Sequence, residues 1–262
     1  MTVQDVHRHM HSVAPWVDWD ASTCDGLKFG HPDTEVRAIA VGWMCTMEAL
    51  RRARERGCNL FITHEPTFYS HMDDDEKLRH SPPGSEKAAL LAEAGMAVYR
   101  CHDAWDLFPD IGVLDSWACG LGLTGTPVAS DRYYAVYELP GVALIDLADE
   151  VAHRTRPLGQ NAVAYAGDPD QTVSRLAIGT GAITDIRTMV DLGADCCLTT
   201  DDGLCGWSQT SWLLDAGLCA IRVNHCVAEE WGMANLADYL RRAFRPVEVH
   251  YIRIGSLYRY TW

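Results

Sequence analysis

The chain has 262 residues, 48% hydrophobic and 22% charged, a globular balance that excludes a wholly disordered protein. Its 36 acidic against 22 basic residues leave a net charge of −14. This argues against broad nucleic-acid binding, because phosphate contacts need clustered Lys and Arg, and suits a protein that binds small ligands or cations.

Residues 2–13 read as an opening helix. Turns at Asp25-Gly26-Leu27 and Gly30-His31-Pro32 precede a short buried strand at 36–41. Residues 47–57 carry helical spacing that stops at Gly57, and 58–66 form a strand ended by Pro66. The polar stretch 71–84 reads as a surface loop and 85–95 as a helix with Ser85 as its N-cap. A strand at 96–103 and a helix over 115–121 follow. The segment from Gly122 to Pro157 holds Gly-Thr-Pro and Leu-Pro-Gly. Residues 126–157 are taken as the join between a first lobe of about residues 1–125 and a second of about 158–262. The second lobe reads as strand 175–179, helix 184–193, strand 194–200, helix 208–217, strand 218–225, helix 233–244 and a strand-like tail. Such alternation predicts an α/β protein.

No run reaches the roughly 18–20 apolar residues of a membrane helix. The opening MTVQDVHRHMHSVAPWVDWD lacks the apolar core of an export signal, which sets a cytoplasmic expectation. Ten cysteines include no C-x-x-C pair, so they read as buried thiols in a reducing compartment rather than a zinc knuckle.

The two halves repeat each other. With Gly57 over Gly193, Thr63 falls on Thr199 and Glu65 on Asp201. With Gly95 over Gly217, Arg100 falls on Arg222, and His102-Asp103 lies beside Asn224-His225. The expected fold is therefore two similar α/β lobes, an internal duplication, facing each other across a metal cleft. In open α/β sheets ligands collect beyond the carboxyl ends of the strands. His64, Glu65, Asp106, His225 and Glu229 would converge there, with His225 and Glu229 four residues apart on a helical turn. Two imidazoles and three carboxylates are a common set for one or two divalent metals, and a two-metal site activates water for hydrolysis.

Other patterns carry less. Gly179-Thr-Gly181 lacks the third glycine of a dinucleotide fingerprint, and no G-x-S-x-G elbow occurs. His7, His9 and His11 read as helix-face or solvated histidines. Cys101 and Cys226 neighbour site histidines, but strand neighbours point to opposite faces.

Four stretches, CDGLKFG (24–30), NLFITHEPTF (59–68), CHDAWDLFPDIGVLDSWACGLGL (101–123) and HCVAEEWGMANLADYL (225–240), resemble motifs of the Nif-three-like family of hexameric proteins with a dinuclear metal centre, the GTP cyclohydrolase I type 2 family. The resemblance spans about residues 13–244 and implies a single Nif-three-like domain over 1–262. It implies the same five metal ligands, two divalent ions (Zn, Fe, Mn or Mg), a homohexamer, and hydrolysis of a nucleotide or related small molecule. The second His of the family's T-H-H-P is Glu65 here, and its H-T-N-x-D reads His102-Asp103-Ala104-Trp105-Asp106. The added carboxylate makes a harder site, which favours Mn, Mg or Fe over Zn. Three functional classes stay open: a metal-dependent hydrolase; a non-catalytic hexameric scaffold or metal handler; and nucleic-acid binding, which a ring-shaped assembly suggests and the net charge of −14 disfavours. The catalytic residues are not named by the sequence.

Overall fold

The computed structural model of the chain describes residues 1–21, 23–203 and 206–260. It divides into two units: residues 1–112 with 232–254, and residues 113–231 with 255–262. Among the described residues no helix is long and apolar enough to cross a membrane.

The first unit runs α1 (Val3–Val13), β1 (Gly26–Phe29), β2 (Ala38–Gly42), α2 (Met47–Glu55), β3 (Leu60–Thr63), α3 (Glu76–Arg79), α4 (Pro82–Ala94), β4 (Ala97–Arg100) and α5 (Asp103–Asp106). The second runs α6 (Val113–Leu121), β5 (Ala129–Asp131), β6 (Tyr134–Ala143), α7 (Leu144–Thr155), β7 (Ala164–Ala166), β8 (Thr172–Gly179), α8 (Ile186–Asp191), β9 (Cys196–Thr200), α9 (Trp207–Asp215) and β10 (Cys219–Val223). Helix α10 (His225–Ala243) begins in the second unit, and β11 (Glu248–Tyr251) closes the first.

The first sheet has the order β1-β4-β3-β2-β11 and the second β5-β6-β8-β9-β10-β7. Strands β2, β3 and β4 are parallel, and β1 lies antiparallel on β4. Strands β8, β9 and β10 repeat this, with β7 antiparallel on β10. Strands β3 and β9 thus hold the same place, as the aligned sequences predict. Every residue of β2, β3, β4 and β9 is buried, as expected of parallel strands covered on both faces. Phe61, Phe68, Leu91 and Val98 anchor the core of the first unit. Leu176, Ile178, Leu198 and Ile221 lie in that of the second.

Residues 126–157 lie within the second unit and carry β5, β6 and α7. The Leu139-Pro140-Gly141 turn signal is absorbed by a register shift between Glu138 and Val142, where β6 leaves and rejoins β8; a bulge spares Pro140 the ladder bond it cannot make. Helix α4 starts earlier than its apolar pattern shows. Ser81, not Ser85, is its N-cap, accepting from Gly84 N at 3.4 Å, because Pro82 fits the first helical turn where no N–H is needed. Of the described cysteines all are free, Cys119 is exposed and the rest are buried; Cys205 lies outside the described residues.

Parallel strands end at one edge of their sheet, so β3 and β4 deliver His64-Glu65 and the 102–106 turn together. That turn is held by Asp25, which is 7% exposed. Its carboxylate accepts the backbone N–H of His102 and, at 2.8 Å, that of Ala104. The buried Trp105 then donates Nε1–H to Gly232 O at 2.8 Å. In the second unit, Trp231 lies across Gly120 of α6, where a Cβ would enter its ring. This fixes the first turns of α10, which carry His225 and Glu229.

Burial pushes the Asp25 carboxyl up to about 6 from its ordinary 3.8, against the two N–H bonds that favour its charged form. Its folded value is the higher one. The stability it contributes is therefore fully present below 3.8 and is lost as pH rises through about 6. Asp25→Ala should lower stability by about 1–3 kcal/mol for each N–H left without an acceptor. Urea melts and a carbon-13 titration of the Asp25 carboxyl check both statements; a melt unchanged by the substitution, or a midpoint near that of an exposed aspartate, would contradict them.

Candidate metal centre

In the first unit His64 is fully buried at the end of β3. Its Nδ1 lies 3.1 Å from Cys101 O. A carbonyl only accepts, so Nδ1 carries the proton and Nε2 presents its lone pair. Nε2 faces Asp106 Oδ1 at 3.3 Å. The ring of His102 stacks on that of His64, with centroids 4.4 Å apart and planes at 15°. His102 Nδ1 is 2.9 Å from Asp103 Oδ1 and 3.3 Å from Asp106 Oδ2. Ligand atoms of His64, His102 and Asp106 all lie within 4.8 Å of one another, a group able to hold a metal ion; Cys24, His102 and Asp103 form a second such group.

Burial opposes a charged His102, yet Asp106 and the hydrogen bond to Asp103 raise its pKa well above the ordinary value. The bond to His102 in turn holds Asp103 well below the usual carboxylate range. Glu65 is placed by Arg100, which is fully buried: Nη2 lies 3.4 Å from Glu65 Oε2, and Nε donates to His64 O at 2.8 Å.

In the second unit His225 opens α10. Its backbone N–H is capped by Asp201 Oδ1 at 3.0 Å, and Asp201 Oδ2 accepts from Asn224 Nδ2 at 2.8 Å. His225 Nδ1 lies 2.7 Å from Asp202 Oδ2, and Nε2 lies 2.9 Å from Glu229 Oε1. Burial would raise Asp202, but the hydrogen bond and charge of His225, with further hydrogen bonds from its own backbone and Thr200, together lower its pKa. Gly181, at φ 77°, stands over this pair: a Cβ there would come within 3.4 Å of His225 Nε2 and 3.7 Å of Glu229 Oε1. Thr200 Oγ1 and Thr184 Oγ1 both donate to Gly181 O, at 3.0 and 2.7 Å, which pins that bare backbone in place.

The structure thus joins His64 with Asp106, and His225 with Glu229, while Glu65 is seated by an arginine. Sequence reasoning alone leaves His102 out of the ligand set, although its spacing to Asp106 repeats that of His225 to Glu229. Asp201 and Asp202 were visible as acids at the end of β9. Asp25 lies in the CDGLKFG motif, but nothing there shows its role, since its partners are backbone groups far along the chain. Of the alternating N-terminal histidines, His7 meets Tyr99 Oη at 3.1 Å and His9 meets Tyr239 Oη at 2.9 Å. Cys101 and Cys226 are buried, and burial raises their thiols well above the ordinary range, the opposite of an activated nucleophile.

A curated relative, the GTP cyclohydrolase 1 type 2 homolog of Chlamydia pneumoniae, is 23% identical over 261 residues, 96% of this chain and 98% of its own. Among solved structures, a hypothetical protein of Staphylococcus aureus matches with a TM-score of 0.81 at 19% identity, over 100% of this chain and 99% of that one. A Bacillus cereus protein related to NIF3 matches at 0.80 and 14% identity with the same coverage. The sequence profile of Duf34/NIF3 (NGG1p interacting factor 3) matches residues 1–256. The chain belongs to the DUF34/NIF3 family.

Proposed function

We propose that this protein is a metal-dependent hydrolase of a nucleotide or related small molecule, holding two divalent ions on His64, Glu65, Asp106, His225 and Glu229. The observation that carries the reading is the treatment of two imidazoles. Each has Nδ1 fixed by an oxygen, Cys101 O or Asp202 Oδ2, and Nε2 turned to a carboxylate, at 3.3 Å in one case and 2.9 Å in the other. Metal-ligating histidines are oriented in this way by an acceptor on the far nitrogen. The space kept open by Gly181 beside His225 and Glu229 fits an ion and a ligand better than a structural salt bridge, which a side chain could cover.

A divalent cation held there supplies Lewis acidity and a lowered pKa for bound water. The chain's own residues do the rest. Cys101 O and Asp202 set the ring tautomers, and Arg100 orients Glu65. His102, with Nδ1 3.3 Å from Asp106 Oδ2 and 2.9 Å from Asp103 Oδ1, is the group best placed in the first unit to pass a proton to a leaving group. The carboxylate share of the set favours Mn, Mg or Fe. The curated relative's name, a GTP cyclohydrolase homolog, supports a purine nucleotide as the first substrate to assay, and the family resemblance supports a homohexamer.

Protein purified without chelators should carry about two divalent ions per chain by elemental analysis, as a two-metal site requires. Asp106→Ala and Glu229→Ala should each lose metal while keeping the native far-ultraviolet circular-dichroism spectrum; full metal content in both would overturn the ligand set. The metal-loaded protein should open or cleave GTP, followed by chromatography of products, and lose that activity in Glu229→Ala. Metal without any hydrolysis of purine nucleotides would instead favour the metal-handling scaffold. Light scattering should give six chains per particle; a stable monomer at micromolar concentration would exclude the hexamer.

A further inference from the structure

In the first unit a thiol, an imidazole and a carboxylate meet beside the candidate ligands. Asp103 Oδ1 lies 2.9 Å from His102 Nδ1 and accepts the Cys24 thiol at 3.4 Å. Ligand atoms of Cys24, His102 and Asp103 all fall within 4.8 Å of one another. The group is also held from outside. Thr23 Oγ1 donates to Asp103 Oδ2 at 2.9 Å, which leaves the other oxygen turned to the thiol and the ring. Asp25 accepts the backbone N–H of His102, and the His102 ring stacks on His64. An oriented carboxylate and a fixed ring are what a metal site asks of its surroundings. Cys24 is 3% exposed, whereas the Asp103 side chain is 39% exposed, so the group is closed at the thiol and open at the carboxylate.

Geometry and charge both match a cation. A tetrahedral zinc ion holds thiolate sulfur at about 2.3 Å and nitrogen or oxygen at about 2.0–2.2 Å. Those lengths set sulfur and oxygen about 3.6 Å apart, and nitrogen and oxygen about 3.4 Å apart. The observed 3.4 and 2.9 Å differ from them by about 0.2 and 0.5 Å. A thiolate, a carboxylate and a neutral imidazole carry two negative charges between them, which one divalent ion cancels. Sulfur sets this group apart from His64, Glu65, Asp106, His225 and Glu229, which offer only nitrogen and oxygen, and a thiolate selects a softer ion than carboxylates do. Asp103 stands where the motif given above has threonine, so the group lies outside the ligand set that the resemblance implies.

We propose that Cys24, His102 and Asp103 form a separate zinc site, with Cys24 Sγ, His102 Nδ1 and Asp103 Oδ1 as ligands and water in the fourth position, on the side where Asp103 is exposed. Binding releases the thiol proton, and any proton on Nδ1, to solvent. An ion on Nδ1 takes the place of a proton there, so the loaded site holds His102 out of proton transfer. The site does not rest on the hydrolase reading.

The test loads the full-length, reduced, metal-free protein with Co²⁺, a zinc substitute whose bond to a thiolate gives a near-ultraviolet charge-transfer band. The parent should show that band, and Zn²⁺ should abolish it by displacement. Cys24→Ser keeps a donor to Asp103 and should lose the band with an unchanged far-ultraviolet circular-dichroism spectrum. Asp103→Asn should weaken Co²⁺ binding, followed in the band, at least about tenfold. Glu229→Ala should keep the band at parental affinity. No thiolate band in the parent, or a band that survives Cys24→Ser, overturns the proposal. So does loss of the band in Glu229→Ala, which would make the thiol part of one joint centre. If Cys24→Ser does not fold, X-ray absorption of the parent at one zinc per chain decides: a sulfur at about 2.3 Å is expected, and its absence overturns the site. None of these readouts depends on nucleotide hydrolysis.

Discussion

Two imidazole rings, His64 and His225, are each tied by Nδ1 to an oxygen that the scaffold holds rigid. Cys101 O belongs to the residue that follows β4, and its amide donates to Thr63 O at 2.9 Å. Asp202 stands just past β9. The orientation of each ring is therefore set by where neighbouring parallel strands end, and not by the ring's own rotamer preferences. The sheets exist to make those strand ends coincide. A one-residue slip of β3 against β4 would move His64 to the other face of the sheet, and the buried residues on both faces of β3 make such a slip costly.

The carboxylates impose the opposite demand. Asp25, Asp103 and Asp106 crowd one strand end, and Asp201, Asp202 and Glu229 another. Carboxylates so near one another raise each other's pKa unless donors or cations offset them. The protein uses backbone N–H groups for Asp25 and Asp201, imidazoles for Asp103 and Asp202, and one buried arginine for Glu65. Asp106 and Glu229, the carboxylates that face Nε2 atoms, are where a cation offsets most charge. The net charge of −14 extends that field over the surface, attracting divalent cations and repelling polyanions.

Much of this was legible from residues alone, for definable reasons. Alternating apolar strands and glycine-stopped helices mark the β-α-β units, and the duplication marks which strand ends correspond. His225 and Glu229 are readable because helical spacing puts positions four apart on one face. His102 escapes the same rule because α5 is a single turn, too short to register as a helix. The role of Asp25, though the residue lies in a family-like motif, escapes because it binds backbone amides, which leave no trace in side-chain patterns. Helix α7 is also hidden. Its buried face, Leu144, Ala148, Val151 and Thr155, has helical spacing, but Leu-Pro-Gly just before it reads as a turn, whereas the strand absorbs it as a bulge.

The duplication also explains why the two units differ where they do. Each unit places an arginine two residues beyond the apolar centre of its third parallel strand, and a guanidinium at a sheet end needs acceptors. The first unit met that need with a long connection whose carbonyls, His64 O and His71 O, accept from Arg100, and the same connection seats Glu65 and His64 at its start. Covering the arginine and building a ligand position are one structural event there. The second unit kept a short connection. Its acids, Asp201 and Asp202, serve the start of α10 instead. The duplicated arrangement thus differs between its copies: in the first the arginine orders Glu65, a candidate metal ligand, and in the second Arg222 meets Thr210 Oγ1 of α9. In the first copy, loss of Arg100 would disturb Glu65 and the His64 carbonyl together. In the second, loss of Arg222 leaves His225, Asp202 and Glu229 with all the partners described for them.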